Sequence, residues 1–305
     1  MYIIAKMRLF FQVTHCRNSA YNSMRKHKGS YMDLNQNVNE NVDTGTLRIH
    51  LTNESNGTPV QGAKISISYT GNPSQTIEEV SADDSGNSEE LTLNAPPLEY
   101  SMEPSEEQPY AEYTIRVQAP GYRDITVSAI NVLPGETAIQ NVRMEAEDAP
   151  GDRIDMVVIA AHTLYAEYPP KIPEDEIKPM NESGEIVLSR VVIPEYIVVH
   201  DGAPGDTTAS DYYIRYRDYI KNVASSEIYA TWPDAAIRAN VLAIMSFTLN
   251  RVYTEWYRGK GYNFTITSST AYDHKFIYGR NYFQSISRVV DEMFENYLSR
   301  PNVRQ

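Results

Sequence analysis

The sequence predicts a multidomain protein: an all-β sandwich over about 43–146, followed from about 150 by an α+β domain with a helical core. Three observations carry this. The chain of 305 residues exceeds the length one hydrophobic core usually serves. Residues 43–146 alternate apolar and polar side chains in short runs separated by turn residues. Beyond residue 215 the apolar period changes to that of a helix.

In chain order, residues 13–43 are polar and Asn-rich, and a flexible N-terminal arm is expected over 1–42. The opening MYIIAKMRLFFQ is basic and apolar but lacks the sustained apolar run and small-residue cleavage site of a clear signal peptide, and Met32 is an alternative start. TLRIHLT (46–52) puts Leu47, Ile49 and Leu51 on one strand face. The Asn56-Gly57 turn then feeds a strand with Ile65 and Ile67 inward. Further strands are expected over Thr76–Val80, Glu90–Leu93, on either side of the Pro120-Gly121 turn, and over 137–144. Six or seven short strands with such turns predict a sandwich.

GTLRIHLTNESNGTPVQGAKISI, DDSGNSEEL and YTIRVQAPGY together resemble the carboxypeptidase-regulatory, or prealbumin-like, β-sandwich. That resemblance implies positioning or adhesion and supplies no chemistry.

EAEDAPGDRI (145–154) reads as a boundary, EYPPKIPEDEIKPM as a loop of polyproline character, and the residues on either side of Pro194 as two strands. Tyr216, Ile220, Val223 and Glu227 then recur at helical spacing, which places a carboxylate on an apolar stripe. Burial favours the neutral acid, the form that protonates a leaving oxygen; alternatively Glu227 satisfies backbone donors or an arginine at a helix end. Thr231 is expected to cap a second helix, with Pro233 and Asp234 in its first turn. Its face carries Ile237, Val241, Ile244, Thr248 and Val252 over roughly two dozen residues, and Gly259 and Gly261 are its expected terminators.

YRDYIKNVASSEIYATWPDAAIRANVLA resembles the signature of the stage II sporulation protein D and LytB superfamily. VVIPEYIVVHDGAP and FTLNRVYTEWYRGKGYNFTITSSTAYDHKFIYGRN are similar to spore cortex-lytic enzymes of anaerobic spore formers, so the likeness covers roughly 185–300. It implies a peptidoglycan lytic transglycosylase of the spore cortex or cell envelope, with Glu227 as the catalytic acid. Tyr219, Trp232, Asn240, Asp273, Tyr278 and Gly279 are the implied substrate-binding residues. Asn240 stands where the family carries Gln. The family's domain continues past the counterpart of residue 300, so 150–305 is expected to be C-terminally incomplete.

No cofactor is implied. The expected partners are peptidoglycan glycan strands, with spore-coat or germination proteins also possible. The net charge of −13 works against nucleic acid and anionic lipid, and no apolar run is long enough for a transmembrane segment. Cys16 is the only cysteine, and His162, His200 and His274 lack zinc spacing. A noncatalytic cell-wall or spore-coat protein retaining the fold is the competing expectation. For the remaining candidates the ordinary roles are packing for Trp256, an exposed loop for His274 and Lys275, and pairing with acidic neighbours for Arg238 and Arg251.

Overall fold

The computed structural model describes residues 42–151, 154–173, 188 and 190–298, all within one compact unit spanning Asn41–Gln305. The expected arm, apart from Val42, and the second half of the proline-rich loop lie outside these residues. In outline the architecture is multidomain, a β-rich region followed by a helix-containing one, and the chain builds three mixed sheets.

The first region contributes β1 (Asp43–Asn53), β2 (Lys64–Tyr69), β3 (Thr76–Ser81), β4 (Leu91–Ala95), the one-turn α1 (Glu99–Met102), β5 (Ala111–Gln118), β6 (Ile125–Val132) and β7 (Thr137–Met144). All seven strands anticipated from the alternation are present. Leu47, Ile49, Leu51, Ile65 and Ile67 are fully buried, as their spacing requires. The first and last of these strands run parallel side by side, with Leu47 opposite Ala138, and β4 lies antiparallel on the other side of β1. The second sheet orders as β3-β2-β5-β6, and β6 lies against β1, β4 and β7 of the first. Apolar side chains of both sheets therefore share one core. Gly86 (φ +74°) sits where a Cβ would come within 2.4 Å of the Leu51 carbonyl oxygen, so only glycine fits that turn.

The later region adds β8 (Met156–Val158), β9 (Tyr196–His200), β10 (Asp211–Arg215), α2 (Tyr216–Glu227), α3 (Asp234–Tyr253), a 3₁₀ turn at Arg258–Lys260, β11 (Ile266–Thr267), β12 (Tyr282–Phe283) and α4 (Gln284–Met293). A small sheet orders as β10-β9-β11. The three helices pack on one another through Ile220 and Val223 of α2, Ile237, Val241 and Ile244 of α3, and Ile286, Val289 and Val290 of α4. Of the two runs expected around Pro194, the second is a strand; in the first, residues 184–187 and 189 lie outside the described residues, and 190–194 are not strand.

Two features of α3 correct the sequence expectation. Thr231 does not cap it: its hydroxyl donates to Ser101 Oγ (2.9 Å), and the helix begins after Pro233 with no side-chain cap. The helix also stops at Tyr253, before either glycine. Glu255 adopts φ +46°, its N–H bonds the Val252 carbonyl, and the Trp256 N–H reaches back to the Arg251 carbonyl (3.1 Å). This is a Schellman closure with glutamate in the position that glycine usually takes, followed by the buried Trp256. Asp234 does occupy the first turn, and Arg238 pairs with it (2.5 Å).

The two regions share sheets. β8 extends the second sheet by pairing parallel to β6, and β12 extends the first by pairing antiparallel to β7. Between them, Asn131 and Asn281 exchange hydrogen bonds: the Asn131 N–H donates to Asn281 Oδ1 (3.1 Å) and Asn281 Nδ2 to the Asn131 carbonyl (2.9 Å). Among the described residues, no helix is long and apolar enough to cross a membrane.

Candidate active site around Glu227

Glu227 is the last residue of α2, one turn beyond Val223 on the stripe that faces the core. Its side chain is partly exposed, and protein atoms crowd its carboxyl group. The charge responds to that crowding. Burial pushes the Glu227 pKa up to about 7, opposed by a hydrogen bond from the Lys275 N–H to Oε1 (2.7 Å) and by the positive charge of Lys171. A carboxyl that exchanges its proton near neutrality can serve as both acid and base.

Lys275 lies in the turn that follows β11, and that turn is fixed from beneath by Asp273. The Asp273 carboxylate is buried; it accepts from Arg251 Nε (2.8 Å) at Oδ1, and from Tyr257 Oη (2.6 Å), the Thr267 N–H (2.9 Å) and Thr267 Oγ1 (2.7 Å) at Oδ2. The Arg251 guanidinium also lies over the rings of Trp256 (4.4 Å) and Phe247 (4.7 Å). Arg251 thus pairs with an acidic neighbour, as expected, and Asp273 spends its acceptor capacity inside the protein. His274 is buried against Phe247 (ring centroids 4.6 Å apart) rather than lying in an exposed loop. Burial, aided by the Lys171 charge, lowers its pKa to about 3, so the ring is neutral.

The other implied residues disperse. Tyr219 is fully buried and stacks on Phe276 (5.9 Å); its hydroxyl lies near Thr248 without a well-formed hydrogen bond, and burial followed by the charges of Asp273 and Glu227 keeps it protonated. Trp232 donates its indole N–H to the Ser101 carbonyl (3.0 Å) and meets Tyr229 edge-on (6.0 Å), which ties the α2–α3 connection to α1. Asn240 donates to the Ala236 carbonyl one turn back on α3 (2.8 Å). Tyr278 stacks on Tyr212 (4.5 Å), and Gly279 (φ +72°) accepts from Gln140 Nε2 (2.9 Å). A Cβ on Gly279 would fall 2.5 Å from Val157 Cγ1, so the absence of a side chain there lets β8 approach.

Tyr278 and Gly279 line a cavity of about 200 Å³ at the seam between the regions, together with Gln140, Asn222, Phe276 and Tyr282. Glu227 is not among the residues lining it, nor a hollow of about 230 Å³ walled by Pro194, Tyr196, Glu255, Tyr257 and Phe264. The structure therefore gathers Glu227, Tyr219 and Asp273 around one turn and sets Tyr278 and Gly279 at the seam, with Trp232 and Asn240 elsewhere.

Sequence reasoning missed the residues that frame Glu227 from residues 162–172. Thr163 donates through N–H (3.1 Å) and Oγ1 (2.9 Å) to the Ser226 carbonyl, and His162 Nε2 donates to the Ile228 carbonyl (3.3 Å). Lys171 Nζ donates to the carbonyls of Tyr272 (2.5 Å) and Asp273 (3.1 Å). Among the described residues, no group of His, Cys, Asp and Glu is arranged to hold a metal ion.

No family model matches the chain, and no curated protein matches it. Among solved structures, the Bacillus anthracis TIE protein is similar over 34% of this chain and 17% of its own, at 23% identity and a TM-score of 0.24. Wild-type Acinetobacter radioresistens catechol 1,2 dioxygenase is similar over 38% of this chain and 58% of its own, at 16% identity and a TM-score of 0.25. Klebsiella pneumoniae 5-hydroxyisourate hydrolase is similar over 33% of this chain and 90% of its own, at 18% identity and a TM-score of 0.22. This chain spans less than two thirds of the first two of these proteins, and no function is carried over from any of the three.

Proposed function

We propose that the chain is a peptidoglycan lytic transglycosylase, or the catalytic part of one, acting on spore cortex, with a prealbumin-like sandwich as its accessory region. The reading rests on one observation above others: the partly buried Glu227 carboxyl accepts from the Lys275 N–H, and its protein-crowded setting raises its pKa to about 7. The sequence resemblance over 185–300 points to the same residue.

The chemistry needs one such group. Protonated Glu227 gives its proton to the glycosidic oxygen between N-acetylmuramic acid and N-acetylglucosamine as the C1–O bond breaks and positive charge develops at the sugar ring. The muramoyl 6-hydroxyl then bonds to C1 while the carboxylate takes the hydroxyl proton, which regenerates the acid and leaves a 1,6-anhydro end. The nucleophile is internal, so no second carboxylate is required to activate water, in contrast to an inverting glycosidase. Asp273, committed to Arg251, Tyr257 and Thr267, supports the turn that holds Glu227.

The test is mass spectrometry of muropeptides from vegetative peptidoglycan and spore cortex after treatment with the protein and with Glu227→Gln. Anhydro-muramoyl products from the unaltered chain alone are expected. Retention of either glycan by folded protein without cleavage would favour a noncatalytic wall-binding role.

A further inference from the structure

Residues 162–172, upstream of the stretch that carries the resemblance, form a strap with its two ends fixed on either side of Glu227. At one end Thr163 and His162 bond the carbonyls of Ser226 and Ile228, the residues immediately before and after Glu227. The His162 ring is buried and neutral, and its Nδ1 accepts from the Leu164 N–H (3.2 Å), so the Nε2–H is the donor to Ile228. At the other end the Ile172 N–H bonds the Ala271 carbonyl (2.7 Å), and the Lys171 ammonium holds the carbonyls of Tyr272 and Asp273. Two residues further on, the Lys275 N–H donates to Glu227. Between the two ends, the Tyr168 hydroxyl donates to the Ala161 carbonyl (2.6 Å), and the Lys275 ammonium lies 5.5 Å from the centre of the Tyr168 ring.

We infer that Lys171 is a positioning residue for Glu227: by clasping the Tyr272 and Asp273 carbonyls it fixes the turn that aims the Lys275 N–H at the carboxyl, and it keeps a positive charge within electrostatic reach of that carboxyl. The inference rests on Glu227 as the reacting acid, but its physical content does not require turnover. Other titratable and charged groups share this neighbourhood. Arg251 is paired with Asp273, Tyr219 and His274 are neutral, and the Lys275 ammonium faces Tyr168. The Lys171 charge opposes the effect of burial on Glu227, so its removal should favour the neutral acid there.

The experiment is a carboxyl-selective NMR titration of Glu227 in the full chain, recorded together with the Lys275 amide resonance, for the unaltered protein, Lys171→Met, Lys171→Gln and Lys171→Arg. The expected result is an upward shift of the Glu227 midpoint on the order of half a pH unit or more in the Met and Gln variants. Arg should restore the midpoint. The Lys275 amide should follow the same midpoint in the unaltered chain and lose much of its response in the Met variant. An unchanged midpoint in either neutral variant that circular dichroism shows to be folded would overturn the inference, as would failure of Arg to restore it. Should both neutral variants unfold, an Arg variant with a displaced midpoint would overturn it as well. These readings stand whether or not muropeptides are cleaved, so failure of the proposed activity is distinguishable from failure of the positioning role.

Discussion

At the scale of single residues, Glu227 links stability to pH. Its pKa is about 7 in the fold, against an ordinary value of 4.5. The folded form is favoured in full below about 4.5, where both states carry the proton. Between there and about 7 the unfolded chain ionises first, so this residue's share of stability falls as pH rises. Above the folded pKa the loss is constant, at roughly 3 kcal/mol from the size of the shift. Glu227→Gln keeps a carbonyl oxygen for the Lys275 N–H and has no charge to bury. Denaturant unfolding should therefore find the variant more stable than the unaltered chain at pH 8, with the gap narrowing toward pH 4; equal midpoints at both pH values would refute the enclosure of this carboxyl. The helical stripe made Glu227 legible in the sequence. Lys171 was not, because its carbonyl partners lie about a hundred residues away, and no local spacing encodes a contact of that range.

At the scale of elements, legibility tracked length. The seven strands of the first region run for five to eleven residues, long enough for a period of two to be read directly in β1, β4 and β7. β8, β11 and β12 have two or three residues, too few to show any period, and they exist because an existing edge recruits them. The end of α3 departs from expectation for another reason: the left-handed closing position is held by Glu255 rather than by glycine, and the buried Trp256 follows it. α4 was not anticipated, yet Ile286, Val289 and Val290 form its buried face at a three-to-four-residue spacing. Ile286 is fully buried. Ile286→Ala should cost about 2–5 kcal/mol in chemical denaturation. The surface cluster of Asp234, Arg238, Arg288 and Glu292 on α3 and α4 should matter far less: Arg288→Ala is expected to leave the denaturation midpoint nearly unchanged, since exposed ion pairs are screened by solvent.

At the scale of the whole molecule, the β-rich and helix-containing regions are joined by β8 on one sheet, β12 on the other and the Asn131–Asn281 exchange between them. This sharing could not be read from the sequence, where residues 145–154 have the composition of a boundary. Two independent regions would melt separately, whereas shared sheets couple them. Calorimetry should record one transition with matching calorimetric and van't Hoff enthalpies, and near-UV and far-UV circular dichroism should coincide; two resolved transitions would show that the shared strands contribute little coupling.

The pairing of β12 with β7 also sets an order of events during synthesis. Tyr282 and Phe283 meet Ile139 and Ala138 across more than a hundred intervening residues. At translation rates of about 5–20 residues per second, β7 waits on the order of ten seconds outside the ribosome before its neighbour is made. In that interval its outer backbone groups are open to the strands of other nascent chains. The nascent chain is thus most exposed to mispairing before its last helix emerges, and a chaperone that shields strand edges would act in that window.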